Sequence, residues 1–157
     1  MKHAVLSVTS FQTSSNAHNV IPAQVFMRGT VRTLDAEIRE LVSSRLASVA
    51  EGTAAAFGAK AEVTYMPGYP VMTNSAEQTA FAADVAKAVS GQCEDAPQVM
   101  GGEDFSYLLN ERPGAYILVG NGETAAVHNP LYNFNDEAIP AGCSWWTEIV
   151  ERRLPLA

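Results

Sequence analysis

Basic residues are scarce in this sequence. Lysine and arginine together number 10 against 17 aspartates and glutamates, which gives a formal net charge of −7. The basic residues are scattered along the chain, whereas a surface that binds phosphates needs them clustered. The composition therefore argues against nucleic acid as a partner.

Long apolar runs are also missing, and so is a leader-like start. No apolar stretch approaches the roughly 20 residues that span a bilayer, and the first residues lead into a strand-like segment without a signal-peptide pattern. Both absences argue against a membrane partner and favour a cytoplasmic protein. The only cysteines, Cys93 and Cys143, lie in no recognisable motif. Free thiols are therefore favoured, with a single disulfide as the alternative.

The signatures of common enzyme classes are absent as well. The sequence has no GxSxG, P-loop, HExxH or CxxC motif, and its histidines, at positions 3, 18 and 128, are too far apart to form a local ligand pair. What is present is a globular composition, with 47% hydrophobic and 17% charged residues among 157. This length and balance predict one ordinary domain or two small ones.

The first part of the chain predicts a small antiparallel sheet covered by one helix. Residues 4–11 read as a strand, and residues 24–32 alternate as a half-buried strand should. A helix follows, capped by Thr33 or Asp35 and ended at Gly58. Residues 59–66 alternate again and predict a third strand, so the order is strand, strand, helix, strand.

The second part predicts alternating helices and a strand. Ser75 and Gln78 match a capping box before a helix over about 76–90. The remaining predicted elements are a short helix near 104–110, an apolar strand at 115–120 that is covered on both faces, and a last helix over about 140–153.

The turn sequence Pro67-Gly68-Tyr69-Pro70 marks the predicted domain boundary, which gives domains of residues 1–70 and 71–157. The predicted fold class is α/β, with an α+β first part, an α/β second part and two small sheets with packed helices.

Three polar loops carry a family resemblance when they are taken together. They are NVIP at 19–22, which enters the strand ending in Arg32, then MGGEDFS at 100–106, and HNPLYNFNDEAIP at 128–140. In this order, with the helix that starts at Asp35 between the first two, they resemble the second half of the M20 metallopeptidase family. The resemblance is to its aminoacylase, carboxypeptidase and hippurate-hydrolase branch, and it covers the chain from about Val5 to Arg153.

The resemblance implies a partial M20 fold. Residues 1–70 resemble the later part of a lid domain that mediates dimerisation, and residues 71–157 resemble the last part of a catalytic domain. Complete members hydrolyse the amide bond of N-acyl amino acids or small peptides, using a water bound to a divalent metal (zinc, manganese, cobalt or nickel) and a glutamate that shuttles the proton. The partners implied are such a substrate and a second copy, paired through the lid sheet.

The resemblance also implies roles for individual residues. His128 matches the final metal-binding histidine of the family. Asn19 matches a substrate-contacting asparagine, with a turn asparagine that binds nearby backbone as the alternative. Arg32 matches a lid arginine that grips the substrate carboxylate, with a solvated strand-end charge as the alternative.

The glycine turn before the short helix matches a loop that lines the substrate cleft. Gly101, Gly102 and Glu103 are its implied substrate-binding residues, and the alternative is that the acidic residues only cap the helix. One departure from the family pattern concerns Asn133, which stands where this branch usually has aspartate. That difference puts in doubt the hydrogen-bond network behind His128.

Most of the metal ligands and the general base that the resemblance implies are absent from this sequence, which contains no implied catalytic residue. Zinc sites usually use three protein ligands plus water, so one histidine cannot hold a catalytic ion. We therefore expect the chain to be the carboxyl-terminal portion of an N-acyl-amino-acid amidohydrolase that is inactive and binds no metal tightly by itself. The alternative is a non-catalytic dimerisation or binding module built on the same scaffold.

Overall fold

A computed structural model of the protein describes residues 3–155. The chain divides into two compact units, and the first comprises Met1–Val71 and Val99–Asp104. The second comprises Met72–Gln98 and Phe105–Ala157. Equating these units with parts of a lid and a catalytic domain stays a prediction. Within residues 3–155, no helix has both the length and the apolar character needed to cross a membrane.

The first unit contains a two-stranded antiparallel sheet. Strand β1 spans Ala4–Thr13 and strand β2 spans Val25–Thr33, and both lie where the sequence predicted strands. The register runs from Ala4 opposite Thr33 to Thr13 opposite Val25, with an irregularity between Val8 and Ser10. The loop that joins the strands is closed at its base, where the Ser14 backbone N–H donates to the Gln24 carbonyl at 3.0 Å.

Helix α1 spans Ala36–Ala56 and contacts both strands. Asp35 occupies the N-cap position and accepts a hydrogen bond from the Ile38 backbone N–H at 3.0 Å, which decides between the two predicted caps. Gly58 follows the helix with φ of 70°, a left-handed conformation that glycine adopts without steric cost. The predicted start and end of this helix are therefore confirmed.

Two predictions for the first unit are wrong. Strand β2 is not half-buried, since its leading residues Val25, Phe26 and Met27 are 43%, 57% and 61% exposed. Residues 59–66 form neither helix nor strand, because a strand needs a hydrogen-bonded neighbour and none pairs with this segment among residues 3–155. The alternation survives only in burial, where positions 61, 63 and 65 are half-buried between exposed neighbours.

The second unit contains three helices, α2 over Ala76–Ser90, α3 over Phe105–Glu111 and α4 over Ala138–Arg153. Each lies close to a predicted helix, and Gly91 ends α2 in a left-handed conformation. Ser75 takes the N-cap position but makes no side-chain capping bond. The capping box is therefore wrong, and the Gln78 side chain instead accepts a hydrogen bond from the Arg153 guanidinium.

The core of the second unit lies between α2 and α4. Ala82 and Val85 of α2 and Trp145 of α4 are buried, and the Trp145 indole N–H donates to the Ala82 carbonyl at 3.1 Å. The neighbouring Trp146 is 64% exposed and meets the Trp145 ring edge-on. Of the two tryptophans, only Trp145 is buried.

The apolar segment 115–120 is not a strand among the described residues. A side chain takes the place of a strand partner, because the Asn74 amide donates to the Tyr116 carbonyl at 2.9 Å and accepts from the Tyr116 N–H at 2.8 Å. Leu118 and Val119 are exposed, so the prediction of a strand covered on both faces is wrong. The mixed α/β class itself is confirmed, with one two-stranded sheet in residues 3–155.

Candidate functional site

In the first unit, the structure brings together two of the predicted substrate-binding residues. Arg32 lies at the end of β2, opposite Val5, and its side chain reaches the glycine turn at Gly102. A Cβ added at Gly102 would lie 2.9 Å from Arg32 Nη1 and 3.3 Å from Tyr69 Cδ2. The absence of a side chain at Gly102 therefore makes room for the guanidinium, and the Tyr69 ring lies beside it.

Arg32 is exposed, and its side chain makes no hydrogen bond or ion pair with another described residue. A planar guanidinium presents several donors in a fixed fork, which suits two-point recognition of a carboxylate. Tyr69 is the residue of this cluster that the sequence did not single out, since it stood within a turn sequence that marked a domain boundary. The sequence signal that could have identified Tyr69 is the presence of an aromatic residue inside the Pro-Gly-Tyr-Pro turn.

The other two residues of the glycine turn have different surroundings. A Cβ added at Gly101 would meet no atom within 4 Å, so only Gly102 is required to be small. Glu103 is exposed and lies two residues before α3 begins at Phe105. Substrate contacts by Gly101 and Glu103 stay predictions.

Asn19 lies in an exposed turn in the loop between β1 and β2. Its side chain makes no hydrogen bond with another described residue. No hydrogen bond between described residues joins it to Arg32 or Gly102. Its contact with substrate stays a prediction.

His128 lies in the second unit, at an exposed position in the loop between segment 115–120 and α4. Its φ is 69°, and it is the one residue other than glycine with a positive φ in the described part of the chain. Histidine tolerates this left-handed region better than most residues, but the conformation is uncommon. Turn hydrogen bonds surround it, with the Asn129 N–H donating to the Ala126 carbonyl at 3.1 Å and the Tyr132 N–H donating to the Asn129 carbonyl at 2.9 Å.

The two arms of this loop are joined at its base by the Asn121 side chain. The Asn121 amide donates to the Asn133 carbonyl at 2.9 Å and accepts from the Asn135 N–H at 2.8 Å. The Asn133 N–H donates to Thr124 Oγ1 at 3.1 Å. An open polar pocket lies here, lined by Asn121, Gly122, Glu123, Thr124, Asn133, Phe134, Asn135 and Asp136.

These contacts do not involve the Asn133 side chain, and they do not test the network behind His128 that the family resemblance implies. Asn133 takes part through its backbone N–H and carbonyl, so an asparagine in place of aspartate leaves these bonds intact. The sequence did not single out Asn121, although the Asn121-Gly122 dipeptide is a strong turn signal and could have found it.

His128 is the predicted metal ligand, and no complete ligand set surrounds it among residues 3–155. No group of three or more His, Cys, Asp or Glu side chains that could hold a metal occurs in residues 3–155. The His128 imidazole makes no hydrogen bond with a described residue, so its ring nitrogens are available to a metal. A catalytic zinc site usually uses three protein ligands and a water, so His128 would be one ligand of several.

Comparisons with known proteins agree on one family. The model of peptidase family M20/M25/M40 matches residues 2–152. The chain is 34% identical over 149 residues to N-acetylcysteine deacetylase of Bacillus subtilis (strain 168), which covers 95% of this chain and 39% of that protein. It is 29% identical over 154 residues to hippurate hydrolase of Campylobacter jejuni, covering 96% of this chain and 40% of that protein.

A solved structure agrees as well. A Bacillus subtilis protein described as a dinuclear metal binding peptidase from the M20 family matches with a TM-score of 0.83 and 34% identity, over 96% of this chain and 42% of that one. The chain thus spans between 39% and 42% of the length of these three proteins.

Proposed function

Because the chain belongs to peptidase family M20/M25/M40, as its loops predicted, we propose that it is the carboxyl-terminal portion of a metal-dependent amidohydrolase that cleaves N-acyl amino acids of the hippurate kind. The observation that carries the proposal is the contact of Arg32 with Gly102. This contact places a planar cation, unpaired among residues 3–155, where the glycine turn gives close access to the backbone. Two relatives, N-acetylcysteine deacetylase and hippurate hydrolase, are each named after an N-acyl amino acid.

An N-acyl amino acid has one feature that Arg32 can recognise, its free carboxylate. Two parallel N–H···O bonds from the guanidinium would fix both the position and the plane of that group. Gly102 allows this arginine conformation, and the Tyr69 ring limits the space on one side. In the first unit, the role of this chain is therefore to bind and orient the amino-acid end of the substrate.

In the second unit, the proposed role is to hold one metal ligand. His128 presents its imidazole from a loop that is closed at its base by hydrogen bonds. A divalent ion held by a complete ligand set supplies an activated water for amide hydrolysis. Since this chain offers one such ligand, we propose that it is inactive alone and depends on residues supplied by another polypeptide segment.

A second candidate is a non-catalytic module that pairs with another copy through its sheet. The observation that favours it is the exposure of large apolar side chains on both strands, namely Val5, Leu6, Val8, Phe11, Val25, Phe26 and Met27. A two-stranded sheet with exposed apolar residues and unpaired edges is prone to add further strands. A homodimer whose stability is indifferent to metal would favour this candidate.

Substrate-carboxylate recognition can be tested without catalysis. N-benzoylglycine added to the chain should shift the NMR signals of the Gly102 amide and the Arg32 Nε–H, whereas benzamide, which has no carboxylate, should not. Gly102→Ala should weaken this binding about tenfold, because the new methyl group would displace the guanidinium and a charge-assisted hydrogen bond contributes about 1.5–3 kcal/mol. Stability should change little, since the displaced atom is the end of a flexible side chain.

The matched control is Gly101→Ala, whose methyl group would enter open space. It should bind N-benzoylglycine as the unsubstituted chain does. Equal weakening by the two substitutions, or equal shifts with benzamide, would show that Arg32 does not recognise the carboxylate.

A further inference from the structure

The loop that carries His128 is closed by two side chains, Asn121 and Thr124, and Asn121 makes two of the three bonds. The Asn121 amide reaches two backbone groups, the Asn133 carbonyl and the Asn135 N–H, which are 12 and 14 residues further along the chain. Asparagine is suited to this contact because its amide combines donors and an acceptor in one planar group. Neither aspartate, which only accepts, nor an apolar side chain can make both bonds.

The closed loop contains a conformation that needs external support. His128 has a positive φ, which residues with a Cβ rarely adopt and which persists where the surrounding structure determines it. The local turn bonds near His128 do not fix where the two arms of the loop begin and end. The Asn121 bonds do, because they set the separation of residues 121 and 133–135 on either side of the histidine. The bond from the Asn133 N–H to Thr124 Oγ1 adds a third link between the same arms.

We infer that Asn121 is a positioning residue, which holds the His128 loop in the conformation that presents the imidazole. This inference rests on the proposed role of His128 as a metal ligand, and the loop geometry itself does not depend on that role. A further side-chain acceptor supports the same arrangement, since Asn135 Oδ1 accepts from the Glu137 N–H at 3.0 Å and ties the second arm to the start of α4.

The same unit provides a matched control. Asn74 makes an equivalent pair of bonds with one residue, Tyr116, through the same donor and acceptor atoms. Asn74→Ala therefore removes a two-bond asparagine contact from the second unit without touching the His128 loop. Asn121→Asp is a second test variant, since it keeps an acceptor for the Asn135 N–H and loses the donor to the Asn133 carbonyl.

The experiment is NMR of the full chain without metal or substrate. A positive φ brings the amide and α hydrogens of one residue close together, so the unsubstituted chain should show a strong intraresidue cross-relaxation peak at His128. Asn121→Ala should reduce this peak to that of a mobile loop and should speed exchange of the Asn135 amide about tenfold, the effect of one lost hydrogen bond. Asn74→Ala should change neither signal, and Asn121→Asp should retain the Asn135 protection.

A normal far-UV circular dichroism spectrum shows that each variant is folded. A His128 peak that is unchanged in Asn121→Ala, or reduced equally in Asn74→Ala, overturns the positioning role. These two NMR measurements require no metal, so their outcome does not depend on whether His128 binds a metal ion. A chain in which His128 proves not to bind metal would still show the Asn121 effect.

Discussion

Replacing Trp145 with alanine is expected to lower the free energy of unfolding of the second unit by about 3–5 kcal/mol, the usual cost of truncating a buried tryptophan. Trp145 is one of three apolar residues that are buried in the described part of that unit, together with Ala82 and Val85. It also donates the indole N–H to the Ala82 carbonyl, which joins α4 to α2. A domain with so small a core has few other contacts to replace it, so this loss is a large fraction of the typical net stability of about 5–15 kcal/mol.

Both tryptophans lie in the second unit, so tryptophan fluorescence during urea unfolding reports on that unit alone. Trp146→Ala is the matched control, because that side chain is largely exposed and its loss should cost about 1 kcal/mol or less, mainly the ring contact with Trp145. The cost of Trp145→Phe in unfolding free energy should lie between those of Trp145→Ala and Trp146→Ala, because phenylalanine keeps an aromatic ring and loses the hydrogen bond. Similar costs for Trp145→Ala and Trp146→Ala would contradict the assignment of the core.

Gly29→Ala is expected to destabilise the sheet of the first unit by about 1–3 kcal/mol or more, the cost of forcing extra atoms into a closely packed position. A Cβ at Gly29 would overlap the carbonyl oxygen of Ser7 and lie 3.3 Å from the Cα of Val8, both on the neighbouring strand. Because the clash is with backbone, the strands would have to separate. Gly29 pairs with Val8, where the register of β1 becomes irregular, and this position therefore depends on a residue with no side chain.

Gly52→Ala provides a control that is expected to raise stability rather than lower it. Gly52 lies within α1, and a Cβ there would meet no atom within 4 Å. Alanine should therefore stabilise the helix by up to about 1 kcal/mol relative to glycine. Hydrogen exchange of the paired amides of β1 and β2 should accelerate in Gly29→Ala and should not in Gly52→Ala. Unchanged exchange in Gly29→Ala would show that the strands do not approach each other as described.

Local signals predicted the helices well, because the residues that begin and end them act on their own backbone. Asp35 caps α1 through a bond to a residue three positions away, and Gly58 and Gly91 have the positive φ that their positions required. Such contacts depend on sequence neighbours only, so the sequence contains the information needed to predict them.

Strands were predicted less well, because a strand is defined by a partner that lies far away in the sequence. Residues 59–66 and 115–120 have strand-like patterns, yet neither is paired among the described residues. For the second segment, a side chain at Asn74 binds Tyr116, 42 residues away. Nothing in the local pattern of either residue specifies the other.

For the candidate site too, local sequence identified individual residues but did not predict the contacts between distant ones. Motif resemblance was sufficient to select His128, Arg32 and the glycine turn, because these residues stand in recognisable local sequences. The contact of Arg32 with Gly102 joins residues far apart in the chain, and the Asn121 bonds join two arms of one loop. Both are tertiary contacts, so the coordinates were needed to show which glycine is required to be small and which asparagine closes the loop.

We propose that this chain supplies one metal ligand and a carboxylate-binding arginine to an amidohydrolase that it cannot constitute alone. Hydrolysis of N-benzoylglycine by the purified chain, with manganese or zinc added, tests this proposal when it is measured beside His128→Ala under the same conditions. We expect no turnover above that of the variant. Turnover that disappears in His128→Ala would contradict it, since copies of this chain would then assemble a complete metal site.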